Sequence, residues 1–239
     1  MTTPLYLNDA YQTRAEGRVT GITEQGSIIL DQSLFYATSG GQPEDNGTLN
    51  WDDQDIEITT TLKGEEGTII LIPAEGATRP AVGQAVTQNI NWDTRYAHMR
   101  MHTALHLLSV VIPLPVTGGA ITAVKGRLDF DMPEAPDDKD ALTDMLNAII
   151  ARNFDITERW ISDAELDANP GLVKTMSVQP PRGAGRIRLV RIGDVSDQVD
   201  LQPCGGTHVA KTGEIGRVTI SKVEKKGKQN RRVHLVFQD

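Results

Sequence analysis

The chain has 239 residues, of which 38% are apolar and 23% charged, an ordinary globular balance with enough apolar content for one large core or two smaller ones. A net charge of −8 argues against a protein that coats nucleic acid indiscriminately, because neutralising phosphates takes clustered Lys and Arg. The opening MTTPLYLNDAYQTR has no basic stretch leading into an apolar core, and no apolar run nears the ~18 residues of a membrane-spanning helix. The expectation is a cytoplasmic chain with no membrane partner.

Taken in order, Val19 to Ile90 reads as strands: SIILDQSLFY, DIEITTTLK and GTIILIPA are short β-rich runs separated by Gly, Asp, Asn and Pro. Regularly spaced short strands predict a small barrel or sandwich. Thr94 to Val111 then shows helical spacing with no internal Gly or Pro until Pro113, and Asp93 is its expected N-cap. The change of character near Asn91 predicts a β-rich domain over 1–91 and a second domain over 92–239. ITAVKGRLDFDM predicts a strand pair. Asp137 to Asn153 predicts a helix with Leu142, Met145, Leu146 and Ile149 on one face, and a short helix is expected to begin at Ser162. RIRLVRIG adds a strand, and GRVTISKVEKKGKQNRRVHLVFQ a hairpin across Lys226-Gly227-Lys228. Helices and strands mixed in this way predict an α+β domain behind the β-barrel-like one.

His102 and His106 stand four apart on the predicted helix, a spacing that stacks two side chains on one face. Two imidazoles so placed can converge on one zinc. His98 makes an equivalent pair with His102, and all three cannot share an ion, since eight residues of helix rise about 12 Å. Spacing leaves the choice of pair open. Cys204, the only cysteine, lies four residues before His208 in CGGTH, where two glycines let the chain bend. A thiolate and imidazoles together make a Cys-His₃ set, plausible for one tetrahedral Zn²⁺ per chain. Four protein donors close a tetrahedron, which is more usual for a structural than a catalytic ion.

Two further features invite a ligand. In TSGGQPEDNG, glycines permit close backbone approach, and the amides around Gly40, Gly41 and Gln42 can face an anion or a carbonyl; the same text also suits a tight surface loop. Basic residues gather from Arg217 to Arg232 (Arg217, Lys222, Lys225, Lys226, Lys228, Arg231 and Arg232), a local face compatible with nucleic acid or simply with a solvated hairpin.

FYATSGGQPEDNG, the HTALH pair with LL following, and CGGTHVAKTGEIG, in this order, resemble the editing region of alanyl-tRNA synthetase and its free-standing relatives, the alanyl-tRNA editing (AlaX-type) proteins. The resemblance covers the chain from about Ser33 onward. It implies a β-rich N-terminal domain carrying the glycine loop, an α+β zinc domain, and hydrolysis of serine or glycine wrongly esterified to tRNA-Ala. It assigns the metal to His102, His106, Cys204 and His208 and leaves His98 as a flanking residue, near RNA or exposed. It makes Thr103, Gln202 and Gly40-Gly41-Gln42 the expected contacts of the aminoacyl end. Synthetase editing domains commonly carry Thr where Leu105 stands, and often an acid where Gln202 stands. The tRNA is expected to be held by the basic tail with Arg182, Arg186, Arg188 and Arg191, with no obligate protein partner. Two other readings compete: an RNA-binding module with a structural zinc, and a zinc hydrolase of small esters.

Overall fold

The computed structural model describes residues 1–176 and 185–238. They form two compact units, Met1–Tyr96 and Ala97–Asp239.

The first unit opens with β1 (Thr3–Pro4), β2 (Arg14–Ile22), β3 (Ile28–Leu30) and β4 (Gln32–Ser33), and continues through β5 (Gly47–Trp51), β6 (Gln54–Lys63), β7 (Ile69–Pro73) and β8 (Ala85–Ile90). Six of these strands close a barrel in the order β2-β3-β7-β6-β5-β8, every neighbour antiparallel; β1 and β4 make a separate short parallel pair. Period-2 alternation fills its interior: Ile56 and Ile58 are buried while Glu57 between them is exposed, and Val19, Ile28, Leu30, Leu49, Leu71 and Val86 join the same core. Closure leaves the barrel no open sheet edge.

The helix α1 (Trp92–Val111) carries the chain from one unit to the next. Its start is set by Asn91, whose side-chain oxygen accepts from the Thr94 amide at 3.3 Å, and not by Asp93, which lies inside the first turn. The division between units falls after Tyr96, within α1, a little beyond Asn91. The reason is that its first turn belongs to the barrel unit: Arg95 is fully buried against Asp45, and Trp92 packs beside Tyr11 and Tyr96.

The second unit continues with β9 (Val116–Ile121), β10 (Lys125–Asp131), α2 (Lys139–Ala151), β11 (Ile156–Ile161), α3 (Asp163–Asp167), β12 (Ile187–Gly193), β13 (Gln198–Pro203), β14 (Val218–Lys225) and β15 (Asn230–Phe237). They form two antiparallel sheets, β14-β15-β10-β9 and β11-β12-β13. α1 lies close over β10 because position 126 is glycine: a Cβ there would come within 2.8 Å of Met101 and 3.3 Å of Leu105. α2 is capped by Asp138, which accepts from the Asp140 and Ala141 amides, and docks on β14 through polar groups. Asn147 bonds both the amide and the carbonyl of Val218, and Thr143 accepts from the Ile220 amide. These bonds turn the helix so that Thr143, Leu146 and Ile150 are buried, whereas Met145, expected on the inner face, is 53% exposed. α3 begins after Ser162 with a reciprocal Ser162–Glu165 capping box. The mixed α+β class with its N-terminal barrel is therefore as the sequence predicts. No helix among the described residues is long and apolar enough to cross a membrane.

Candidate metal centre

His102 and His106 project from one face of α1, and Cys204 and His208 from the turn that follows β13. Their four donor atoms all lie within 4.8 Å of one another, with Cys204 Sγ 3.5 Å from His102 Nε2 and 3.3 Å from His208 Nε2. For bonds of ~2.0–2.3 Å, the donors of a tetrahedral zinc stand about 3.3–3.8 Å apart, so this spacing suits a metal ion. His98, one turn earlier on α1, is not part of the set; it is 4% exposed, which rules out the exposed position expected for it.

The second nitrogen of two of the imidazoles is already committed. Thr103 Oγ1 donates its only hydrogen to the Met99 carbonyl at 2.9 Å, so its 3.1 Å contact with His208 Nδ1 requires that nitrogen to be the donor. The Val209 amide donates to the same hydroxyl at 3.3 Å. His106 Nδ1 donates to Asp200 Oδ2 at 3.0 Å, and Gln202 Nε2 donates to that oxygen at 2.7 Å. Lys174 Nζ reaches the other oxygen of Asp200 at 2.5 Å. With the Nδ1 protons held this way, Nε2 of His106 and of His208 is left with its lone pair toward the centre, the arrangement by which an outer carboxylate or hydroxyl orients a metal-binding histidine.

The electrostatics of Cys204 and His208 agree with this. Burial opposes ionisation of Cys204, but the neighbouring His102 and His208 hold its thiol well below the usual range, toward the thiolate a metal needs. Burial, reinforced by His102, pushes His208 down to about 3 and keeps it neutral. Burial also pulls His106 down, yet its bonds to Asp200 and Cys204 carry it up to about 9; Asp200, despite burial, is drawn down to about 2 by His106 and Lys174.

The turn that presents Cys204 and His208 is held by Arg188. Its guanidinium donates to the carbonyls of Cys204 at 2.9 Å and Gly206 at 2.8 Å, and pairs with Glu158, while the Cys204 amide bonds the Arg188 carbonyl. Arg188 is 5% exposed and spent on this task, so it is not the phosphate contact expected of it. Arg231 is likewise buried, donating to the carbonyls of Pro133, Gly227 and Asn230. Lys222, Lys225, Lys226 and Lys228 are exposed on the β14–β15 hairpin; Arg182 lies outside the described residues.

Of the expected substrate contacts, Thr103 is fully buried with its hydroxyl committed as above, and Gln202 is 7% exposed beside His106. Gly40 and Gly41 occupy the centre of a two-residue turn between Ser39 and Gln42, which exchange both backbone hydrogen bonds. Their φ values of 57° and 87° call for glycine at a turn of this kind. A Cβ at Gly40 would meet nothing within 4 Å, and Gln42 is 1% exposed. The residues that sequence reasoning missed are Asp200, Lys174 and Glu158, and Arg188 has a role other than the one expected of it. A signal for Asp200 existed in the alternation Asp200-x-Gln202-x-Cys204, which puts the acid one strand repeat before Gln202 on the same face.

Known proteins match along the whole chain. Residues 187–234 match the family described as threonyl and alanyl tRNA synthetase second additional domain, and residues 9–94 match class II (A) tRNA synthetases. The chain is 33% identical to the alanyl-tRNA editing protein AlaX-M of Methanosarcina acetivorans, with all of both chains covered. It is 35% identical to the AlaX-M protein of Saccharolobus solfataricus over 98% of each. To the alanine–tRNA ligase of Pyrobaculum arsenaticum it is 33% identical over 94% of this chain, matching 25% of the ligase. Identity of this order with such proteins from end to end, together with the two synthetase-domain matches, shows that the chain belongs to the AlaX-M family of alanyl-tRNA editing proteins.

Proposed function

We propose that this chain is a hydrolase that removes serine or glycine wrongly esterified to tRNA-Ala, using one zinc held by His102, His106, Cys204 and His208. The observation that carries the reading is the convergence of four metal donors, two of them imidazoles whose outer nitrogens are already fixed by Asp200 and Thr103. It is supported by relatives named for alanyl-tRNA editing. Zinc bound there supplies Lewis acidity to an ester carbonyl and its attacking water.

The chain's own groups do the positioning. Asp200 holds the Nδ1 proton of His106 and so keeps Nε2 available. Thr103 does the same for His208, and acts through that ligand more than through the substrate. Gln202 at His106 is a proposed contact of the aminoacyl group. Exposed Lys222, Lys225, Lys226, Lys228 and Arg186 are the proposed phosphate contacts, so affinity falls steeply as salt rises. The reaction belongs in the cytoplasm, where tRNA is charged.

The test is deacylation of Ser-, Gly- and Ala-tRNA-Ala by the purified protein with parallel zinc quantification. Loss of the Ser or Gly ester with Ala spared, at about one zinc per chain, is the expected result. A second reading, an RNA-binding module with a structural zinc, is favoured by the fact that all four donors come from the protein. Bound zinc with no turnover of any ester selects it. Turnover of small aminoacyl esters as fast as that of charged tRNA selects a small-ester hydrolase.

A further inference from the structure

The three-stranded sheet is buried on both faces along β12 but exposed along β11 from Thr157 to Trp160. Ile161, Leu166, Ile187 and Leu189 pack together on one face. On the other, register sets Trp160 opposite Arg188 and Val190 opposite Gln202; directly opposed residues share a face, as do residues two apart on a strand. Trp160 therefore stands on the same face as Gln202, whose amide is 3.0 Å from His106 Nδ1. β11, which carries Trp160, is two strand spacings from β13, about 10 Å.

Trp160 is 41% exposed, and the Arg186 guanidinium lies 4.5 Å from its ring centroid. An open indole ring backed by a cation is a platform for a flat nucleobase, with the cation close to the phosphate that follows. In an aminoacylated RNA the ester sits on the ribose of the terminal nucleoside, so the terminal base is always one ribose from the reacting carbonyl. Two strand spacings, about 10 Å, are on the scale of one nucleoside.

We propose that Trp160, with Arg186, receives the terminal nucleobase of the aminoacylated strand by stacking while the ester lies at the metal centre. This rests on the hydrolase reading for its substrate, and supplies the strand-end recognition which that reading lacks.

The test pairs kinetics with fluorescence. In deacylation of Ser-tRNA-Ala, Trp160→Ala is expected to raise KM roughly tenfold, the scale of one lost base–aromatic stack, with kcat nearly unchanged and zinc content and melting temperature preserved. Trp160→Phe recovers most of the loss. A short single-stranded RNA ending in CCA is expected to quench tryptophan fluorescence of the wild type, and to bind roughly tenfold more weakly once its terminal nucleotide is removed; the quench disappears in Trp160→Phe. An unchanged KM in Trp160→Ala, or a quench equal in Trp160→Phe and wild type, overturns the proposal. If the wild type hydrolyses no ester, the hydrolase reading fails and the fluorescence arm still decides Trp160: a quench that depends on the terminal nucleotide upholds it, and one that does not overturns it.

Discussion

Asp200 accepts the Nδ1 hydrogen of His106 at 3.0 Å from a strand 94 residues further along the chain. The carboxylate is buried, and Lys174 and Gln202 satisfy the rest of it. Removing such an outer-shell carboxylate typically costs ~10–100-fold in metal affinity, because the imidazole loses both its orientation and some basicity. Asp200→Ala is expected to weaken zinc binding by that factor while the chain stays folded. Competition with a chromogenic chelator measures it, and wild-type affinity in the variant would remove Asp200 from the metal site.

Thr103 separates two roles that its sequence position leaves mixed. If its hydroxyl serves His208, Thr103→Val leaves a buried Nδ1 donor unpaired, a loss of about 1–3 kcal/mol. Zinc affinity and thermal stability of the zinc-loaded protein then fall together, and Thr103→Ser restores both. If the hydroxyl instead serves the substrate, zinc binding is untouched and only the preference among Ser, Gly and Ala esters moves. Measuring zinc affinity alongside ester selectivity in the two variants decides between them.

The barrel unit depends on a single buried cation. Arg95 is wholly inaccessible; its guanidinium spans both oxygens of Asp45 and the carbonyls of Ala10 and Leu34. Asp45 in turn accepts from the Tyr36 amide, and its own carbonyl accepts from Thr61, which ties down the end of the glycine turn. Arg95→Met removes one partner and leaves a carboxylate buried without its counter-charge, a loss of roughly 3–5 kcal/mol. Denaturant unfolding should show it. The double variant Arg95→Met with Asp45→Asn is expected to regain part of that loss, since the orphaned charge is gone.

What could be read in advance follows from how local each signal is. His102 and His106 are neighbours on one helix face by spacing alone, and CGGTH joins its two donors within one short turn, so half-sites are legible. Choosing His106 over His98 is not local: it depends on Asp200 and Gln202 arriving on β13. β11 and β13 escape notice because ITERWI is exposed along most of its length and QVDLQP has few apolar residues. The missing acid at Gln202 is found at Asp200, displaced by one strand repeat, which only the alternation of a recognised strand reveals. The inner face of α2 is misread at Met145 because polar bonds from Thr143 and Asn147 to β14, not apolar periodicity, set the helix's rotation.

Asp129 gives the acid limb of stability a specific cause. On β10 it takes two bonds from Arg232, at 2.7 and 2.9 Å, and one from Arg127 at 2.8 Å. Burial would raise its carboxyl, but the Arg232 hydrogen bond and the Arg127 charge hold it below the ordinary 3.8. A carboxyl whose folded value is depressed binds fewer protons in the folded than in the unfolded chain. Its contribution is therefore complete above the unfolded value and is lost as pH falls through the lowered folded one. Asp129→Asn cannot follow that titration. The gap in melting temperature between wild type and Asp129→Asn is expected to be constant above about pH 5 and to close progressively below about pH 4. Thermal melts of the two proteins from pH 7 to pH 2 measure it. A gap that stays constant to pH 2 would show that the two arginines do not stabilise the charged form of Asp129.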